Sequence, residues 1–201
     1  MRSSLATWTA TALVAFAFTP ARAQDKHFGI QLTLSKPQGD LGGSGELDGQ
    51  TGYGIGLQGQ IALKNGIALV PRVDYTTYKR SESATSGANS ASAELKVNVI
   101  NLGADFNFYL DKTVNQGFYL LLGAGYSSAK FEGTLSANLN GTPISFQTSE
   151  TKGSFYGAAG MGFSFTKNVT AELRYVGLAK YDFDNEDVTG PSINASVVFR
   201  F

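Results

Sequence analysis

From His27 onward, apolar and polar residues alternate in runs separated by stretches rich in Gly, Ser and Asn. Successive strand side chains point to opposite faces, so each run predicts a two-faced strand. His27–Ser35 places Phe28, Ile30, Leu32 and Leu34 on one face and Gln31, Thr33 and Ser35 on the other. Tyr53–Leu63 and Ile67–Tyr78 repeat the pattern around Lys64-Asn65-Gly66, whose Asn-Gly pair suits the positive φ of a type I′ hairpin turn. Pro71 lacks a backbone donor, which predicts a local bulge or weakened pairing in the second of these runs.

Glu94–Phe108 changes phase. Leu95, Val97 and Val99 share one parity, whereas Ile100, Leu102, Ala104, Phe106 and Phe108 share the other. An extra residue near Val99–Ile100 would restore a single apolar face, so a β-bulge is expected there. Phe118–Lys130, Phe155–Phe165, Val169–Gly177 and the terminal 191–201 complete about eight strands. Short turns at 64–66, 111–117 and 166–168 alternate with long connections at 36–51, 79–92, 131–152 and 179–190. Residues 131–152 hold two alternating arms around Asn140-Gly141, which predicts a hairpin projecting beyond the sheet. The other three long connections read as loops, that at 179–190 being acidic.

The aromatic residues collect at two heights. Phe28, Phe106, Phe108, Phe118, Phe163, Phe165, Phe199 and Phe201 lie near the short turns, while Tyr53, Tyr75, Tyr126, Phe155 and Tyr175 lie near the long connections. Two belts with aliphatic residues between them are expected where a barrel crosses two membrane interfaces. The opposite face is mostly Gly, Ser, Thr, Asn and Gln. Such a face fits a lumen in which small residues leave room for larger ones across the axis. The fold expected is therefore all-β: an eight-stranded antiparallel up-and-down transmembrane β-barrel with periplasmic termini.

Composition agrees. Only 16% of residues are charged, and the balance of 16 basic and 16 acidic side chains gives no reason to expect a nucleic-acid partner. There is no Cys, so neither a disulfide framework nor a thiolate metal site is expected. Arg2, the apolar run Ala10–Phe18, Pro20 and the small residues Ala21 and Ala23 predict a cleaved signal peptide over 1–23. The barrel domain would then be 24–201.

The final strand ends Val-Val-Phe-Arg-Phe, with Phe199 and Phe201 on its apolar face. This ending resembles the C-terminal strand of bacterial outer-membrane β-barrels. The whole of 24–201 is similar in architecture to the small eight-stranded members, among them OmpX, the OmpA membrane domain and the opacity-type proteins. The resemblance implies a Gram-negative outer-membrane location, contact with lipid and lipopolysaccharide, and delivery by the barrel assembly machinery. In it Phe199 and Phe201 would act as an assembly signal. A departure from the OmpA pattern is that no peptidoglycan-binding domain is expected after Phe201, and a monomer is expected.

Candidate chemistry lies on the polar face. Arg72, Asp74, Asp105, Glu172, Arg174 and Arg200 balance three bases against three acids. A barrel of eight strands is only wide enough for side chains to fill. Charges buried there must be paired. They form either an ion-pair plug or the lining of a narrow gated pore. No catalytic role is expected: the only His, His27, starts the first strand, away from the long connections. No cofactor or metal is expected, although Asp182, Asp184, Asn185, Glu186 and Asp187 could hold a divalent cation weakly. Two functions remain open: a structural or surface-interaction protein that binds a ligand or host protein through its long connections, or a small pore or tunnel of the OmpW kind.

Overall fold

The computed structural model describes residues 26–42, 47–87, 89–139, 142–177, 180–183 and 186–201. The predicted signal peptide, Asn140-Gly141, Asp184 and Asn185 lie outside them. Among the described residues there are ten strands: β1 (Lys26–Pro37), β2 (Gly52–Ala62), β3 (Ile67–Ser86), β4 (Asn89–Tyr109), β5 (Gly117–Leu139), β6 (Thr142–Ser164), β7 (Val169–Gly177), β8 (Lys180–Phe183), β9 (Glu186–Thr189) and β10 (Ser192–Arg200). Eight of them close an antiparallel barrel in the order β1-β10-β7-β6-β5-β4-β3-β2. Closure is made by β1 against β10, from Gly29 opposite Arg200 to Pro37 opposite Ser192.

The short turns form as their residues dictate. Asn65 and Gly66 have φ of 61° and 72°, the left-handed pair that a type I′ turn requires. The start of β1, the end of β10 and the short turns share one end of the barrel. Phe201 and Phe28 exchange backbone hydrogen bonds, and Asn168 receives the Arg200 amide at 2.7 Å.

Within the barrel the alternation sorts as expected. Leu32, Leu34, Ile55, Leu57, Leu120, Leu122, Met161 and Val197 are exposed on the outside. Phe28, Phe108, Phe118, Phe165 and Phe199 are exposed near the short turns, and Tyr53, Tyr126, Phe155 and Tyr175 near the other end. Rings pair across strands within each belt: Phe118 and Phe163 at 4.6 Å, Tyr126 and Phe155 at 5.4 Å, both edge to face. An apolar surface this continuous has to be covered, and lipid covers it.

Four points of the sequence reading are resolved here, the first by a choice between its two alternatives and the other three as departures. Pairing of β2 with β3 lapses between Gln58–Arg72 and Ile61–Leu69 with no change of register. Weakened pairing, not a bulge, is thus how Pro71 is accommodated. No bulge occurs at Val99–Ile100 either. Val99 faces Thr76 and Ala129, Ile100 faces Tyr75 and Ser128, and the ladder runs straight through.

The third point explains the second. Residues 79–92 are not a loop: β3 and β4 stay paired up to Ser86 and Asn89. β5 and β6 stay paired up to Leu139 and Thr142, and β4 pairs with β5 as far as Ser90 opposite Asn138. Strands β1, β2, β7 and β10 have the 9–12 residues that crossing a bilayer needs, whereas β3 to β6 have 20–23. The surplus forms a four-stranded sheet beyond the Tyr and Phe belt. There the polarity of the two faces reverses on β4, β5 and the far part of β6, while β3 keeps Arg80 and Glu82 on the lumen-side parity. The lumen-side parity carries Ala91, Ala93, Leu95, Val97, Phe131, Leu135, Ile144 and Phe146, while the outer parity carries Ser81, Ser83, Ser92, Glu94, Thr134, Ser136, Ser145 and Gln147. The phase break at Val99–Ile100 falls at the aromatic belt, where Ile100 faces Tyr75, as expected where the outer surroundings change from lipid to water.

The fourth point is 179–190, which contains the β8–β9 hairpin rather than an open loop. It closes over the mouth. Tyr181 is buried, donating to or accepting from Ser127 at 2.8 Å, and packs edge to face on Phe131.

Candidate functional site

Halfway along the lumen the strands deliver five charged side chains to one place. Arg72 on β3 reaches across the barrel to Glu172 on β7, donating from Nη1 to Oε1 at 2.8 Å and from Nη2 to Oε2 at 3.2 Å. Its Nη2 also donates to Gln58 Oε1 at 3.1 Å. Its Nε lies 3.1 Å from Asp105 Oδ2, close enough for strong charge attraction though off the line of a hydrogen bond. Arg174 donates to Asp105 Oδ1 at 3.0 Å and to Asp74 Oδ2 at 3.4 Å, with its guanidinium 5.5 Å from the Tyr156 ring centre. Asp105 therefore bridges both guanidiniums.

Glycines opposite these groups make the space. A Cβ at Gly123 would collide with Asp105 Oδ1, one at Gly162 with the Tyr119 ring, and one at Gly103 with Tyr156 Oη. The alternate-residue glycines of β5 and β6 are the sequence trace of this packing.

Three neutral residues that touch the cluster, Gln58 and two tyrosines, were not singled out from the sequence as part of it. Tyr119 donates to Glu172 Oε2 at 3.0 Å, and Tyr156 stands against Arg174. Tyr156 falls on the polar face by parity alone. Tyr119 sits in the uniformly apolar start of β5, where alternation gives no warning. Arg200 stands apart from the other five. It donates to Thr170 Oγ1 at 2.7 Å and Asn115 Oδ1 at 3.2 Å near the short turns, and shares no ion pair with the cluster.

Above and below, neutral side chains continue the filling. Toward the long strands, Thr33 and Ser196 share a hydrogen bond at 2.9 Å, and Ser35 bonds both Tyr78 and Asn194. Toward the short turns, Gln60 donates to Tyr109, whose ring lies 4.9 Å from that of Tyr119. At the mouth the filling turns apolar: Leu41, Ala129, Tyr156, Val176 and Tyr181 form one cluster, and Leu47, Tyr78 and Val97 another. Asp40 ties the 38–42 segment to this cap. Its Oδ2 accepts from the Thr189 amide at 2.8 Å and hydroxyl at 2.6 Å, and these bonds hold its carboxyl below the usual aspartate range. Among the described residues no group of acidic or His side chains is arranged to hold a metal ion.

A closed ring of eight strands, apolar outside and polar within, defines a membrane-spanning β-barrel. The chain belongs to the family described as outer membrane protein beta-barrel domain, whose profile matches residues 9–201. Solved structures that share the fold include the following two. One is Ail, the attachment invasion locus protein of Yersinia pestis, in complex with the heparin analogue sucrose octasulfate: 15% identity, 90% of this chain and 100% of that one, TM-score 0.53. The other is the N-terminal β-barrel domain of Pseudomonas aeruginosa OprF: 16% identity, 89% of this chain and 100% of that one, TM-score 0.55. No match to a curated protein sequence was found. The chain is thus an eight-stranded barrel of the bacterial outer membrane.

Proposed function

We propose that this barrel is a surface-interaction protein whose lumen is closed and whose working part is the four-stranded sheet outside the membrane. The observation that carries the reading is the continuation of β3 to β6 as paired strands well past the aromatic belt. A barrel that only anchors itself has no use for about ten extra residues on each of four strands. The termini and short turns face the periplasm, and the sheet faces the cell exterior. Lipid and lipopolysaccharide surround the barrel, the assembly machinery inserts it, and Phe199 and Phe201 serve as its recognition signal.

The ion pairs of Arg72 and Arg174 with Asp74, Asp105 and Glu172 act as the plug, with Tyr119 and Tyr156 filling the remaining section. Because Ail was solved with a heparin analogue, sulfated sugars are a reasonable first ligand to offer the outer face. That face presents Lys79, Lys96 and Lys130, each next to Glu94 or Glu132.

Limited proteolysis of intact cells tests the orientation. Cleavage is expected within 36–51, 79–92, 131–152 or 179–190, and cleavage confined to the turns at Asn65 or Lys167 would reverse it. Planar bilayers test the plug. A silent bilayer is expected, and steady conductance steps that change when Arg174 is replaced would make the barrel a pore.

A further inference from the structure

The two free edges of the external sheet are built differently. β3 forms one edge and carries Lys79, Arg80 and Glu82. Charges of this kind are how a β-protein keeps an edge from pairing with another chain. β6 forms the other. It pairs with β7 only from Gly157 onward, and between Thr142 and Ser149 it has no charged residue. The residues of that stretch on the lumen-side parity are Thr142, Ile144, Phe146 and Thr148. Ile144 is 54% exposed and Phe146 73%, beside Leu135 on β5 at 61%. An unguarded edge with a bare apolar face next to it is set to accept one more strand.

We infer that the strand it accepts is β6 of a second copy, held in an opposing membrane. Three features select this occupant. First, the stretch is complementary to itself: antiparallel pairing about a two-fold axis at Phe146 sets Phe146 against its copy, Ile144 against Thr148 and Ser145 against Gln147. No charge faces a charge, and Pro143, which has no N–H, falls at the end of the ladder where a missing donor costs least. Second, only this arrangement joins apolar face to apolar face. A two-fold axis along the sheet normal makes the strands antiparallel and keeps both faces on their own sides. An axis along the strands would instead join the apolar face of one copy to the Ser-rich face of the other.

Third, the sheet normal is radial to the barrel and so lies in the plane of the membrane. Rotation by half a turn about it inverts the barrel, which places the partner in a membrane facing the first. Phe146 stands roughly 30 Å along the strand from Phe155 in the belt, given the rise of a strand per residue. A strand pair this short is marginal alone. Many copies between two membranes act together.

This inference rests on the surface-display reading above. The test uses the full mature barrel reconstituted in phospholipid vesicles, with outward orientation established by protease access and barrel closure by heat-modifiable gel migration. Vesicles are captured on supported bilayers that contain or lack the protein. Wild-type vesicles should bind only bilayers that carry it. Phe146→Glu and Phe146→Lys should each reduce self-capture at least tenfold, because the axis sets like charges against each other. Phe146→Glu vesicles on Phe146→Lys bilayers should recover capture. No wild-type capture, capture equal on protein-free bilayers, insensitivity to both substitutions, or failure of the mixed pair to recover would each overturn the pairing. None of these outcomes touches orientation or plugging, which the protease and migration controls and bilayer recordings report separately.

Discussion

Replacing Arg174 by Met should unfold the barrel far more readily than replacing Asp74 by Asn, although the two side chains touch. Counted at full ionisation, the cluster holds two guanidiniums, Arg72 and Arg174, against three carboxylates, Asp74, Asp105 and Glu172. Arg174→Met leaves one against three and strips Asp74 of its ion pair, Asp74 Oδ1 being without a hydrogen-bond partner already. Removing one member of a buried pair typically costs about 3–5 kcal/mol, because the charge left behind has lost its hydration. Asp74→Asn leaves two against two. It gives up only the 3.4 Å contact to Arg174, for which a change within about 1 kcal/mol is expected. The only Trp is Trp8, inside the predicted signal peptide, so unfolding is better followed by gel migration and circular dichroism in urea than by Trp emission. With urea slopes of about 1–3 kcal/mol/M, the Arg174→Met midpoint should fall by at least about 1 M. Equal losses in the two variants, or a loss below about 1 kcal/mol for Arg174→Met, would refute the claim that the lumen is held by charge balance.

Gly162→Ala should destabilise by about 1–3 kcal/mol, since its methyl must displace the Tyr119 ring from Glu172, and a urea midpoint equal to wild type would show that the lumen has slack. The Asp40 latch should be acid-labile. Its folded carboxyl titrates below its unfolded value, so its contribution is complete above the ordinary aspartate range and is lost as pH falls through the folded value. The Thr189 amide shift in micelles should therefore titrate with a midpoint below that range, and a midpoint at or above it would refute the latch. Phe201→Ala should lower the amount of barrel in the outer membrane by more than its loss of urea stability explains, since burying an aromatic is worth only about 1.5–3 kcal/mol. A proportionate loss would reduce Phe201 to an interfacial anchor.

How much of this was legible in the sequence depends on what each residue was read against. Period-two alternation, the Asn65-Gly66 turn and the two aromatic belts depend on local chemistry and on a single change of solvent, and these carried the barrel. The charged residues were legible as a lumen set because parity alone put them inside. Which of them meet was not, because contact across a barrel depends on shear between strands far apart in sequence. Hence Arg200, which shares the parity of the other five charges, lies away from them beside Thr170 and Asn115.

The misreading at Val99–Ile100 has a different cause. A change of apolar parity within a strand has two physical origins: an inserted residue that turns the backbone, or a change in what surrounds it. The bulge assumes that one solvent lies outside the whole strand. A strand of 21 residues cannot satisfy that assumption in a bilayer crossed by about 10. Length was therefore the missing premise, and it was available. Had 79–92 been read as the continuation of two strands, Ser83-Ala84-Thr85 and Ser90-Ala91-Ser92-Ala93 would have shown the new phase, with Ala toward the lumen side and Ser and Thr outward. The same inversion leaves Ile144 and Phe146 on a face that neither lipid nor lumen covers. A parity change over a long paired strand is thus evidence about solvent, and where its apolar side stays bare, evidence about a partner.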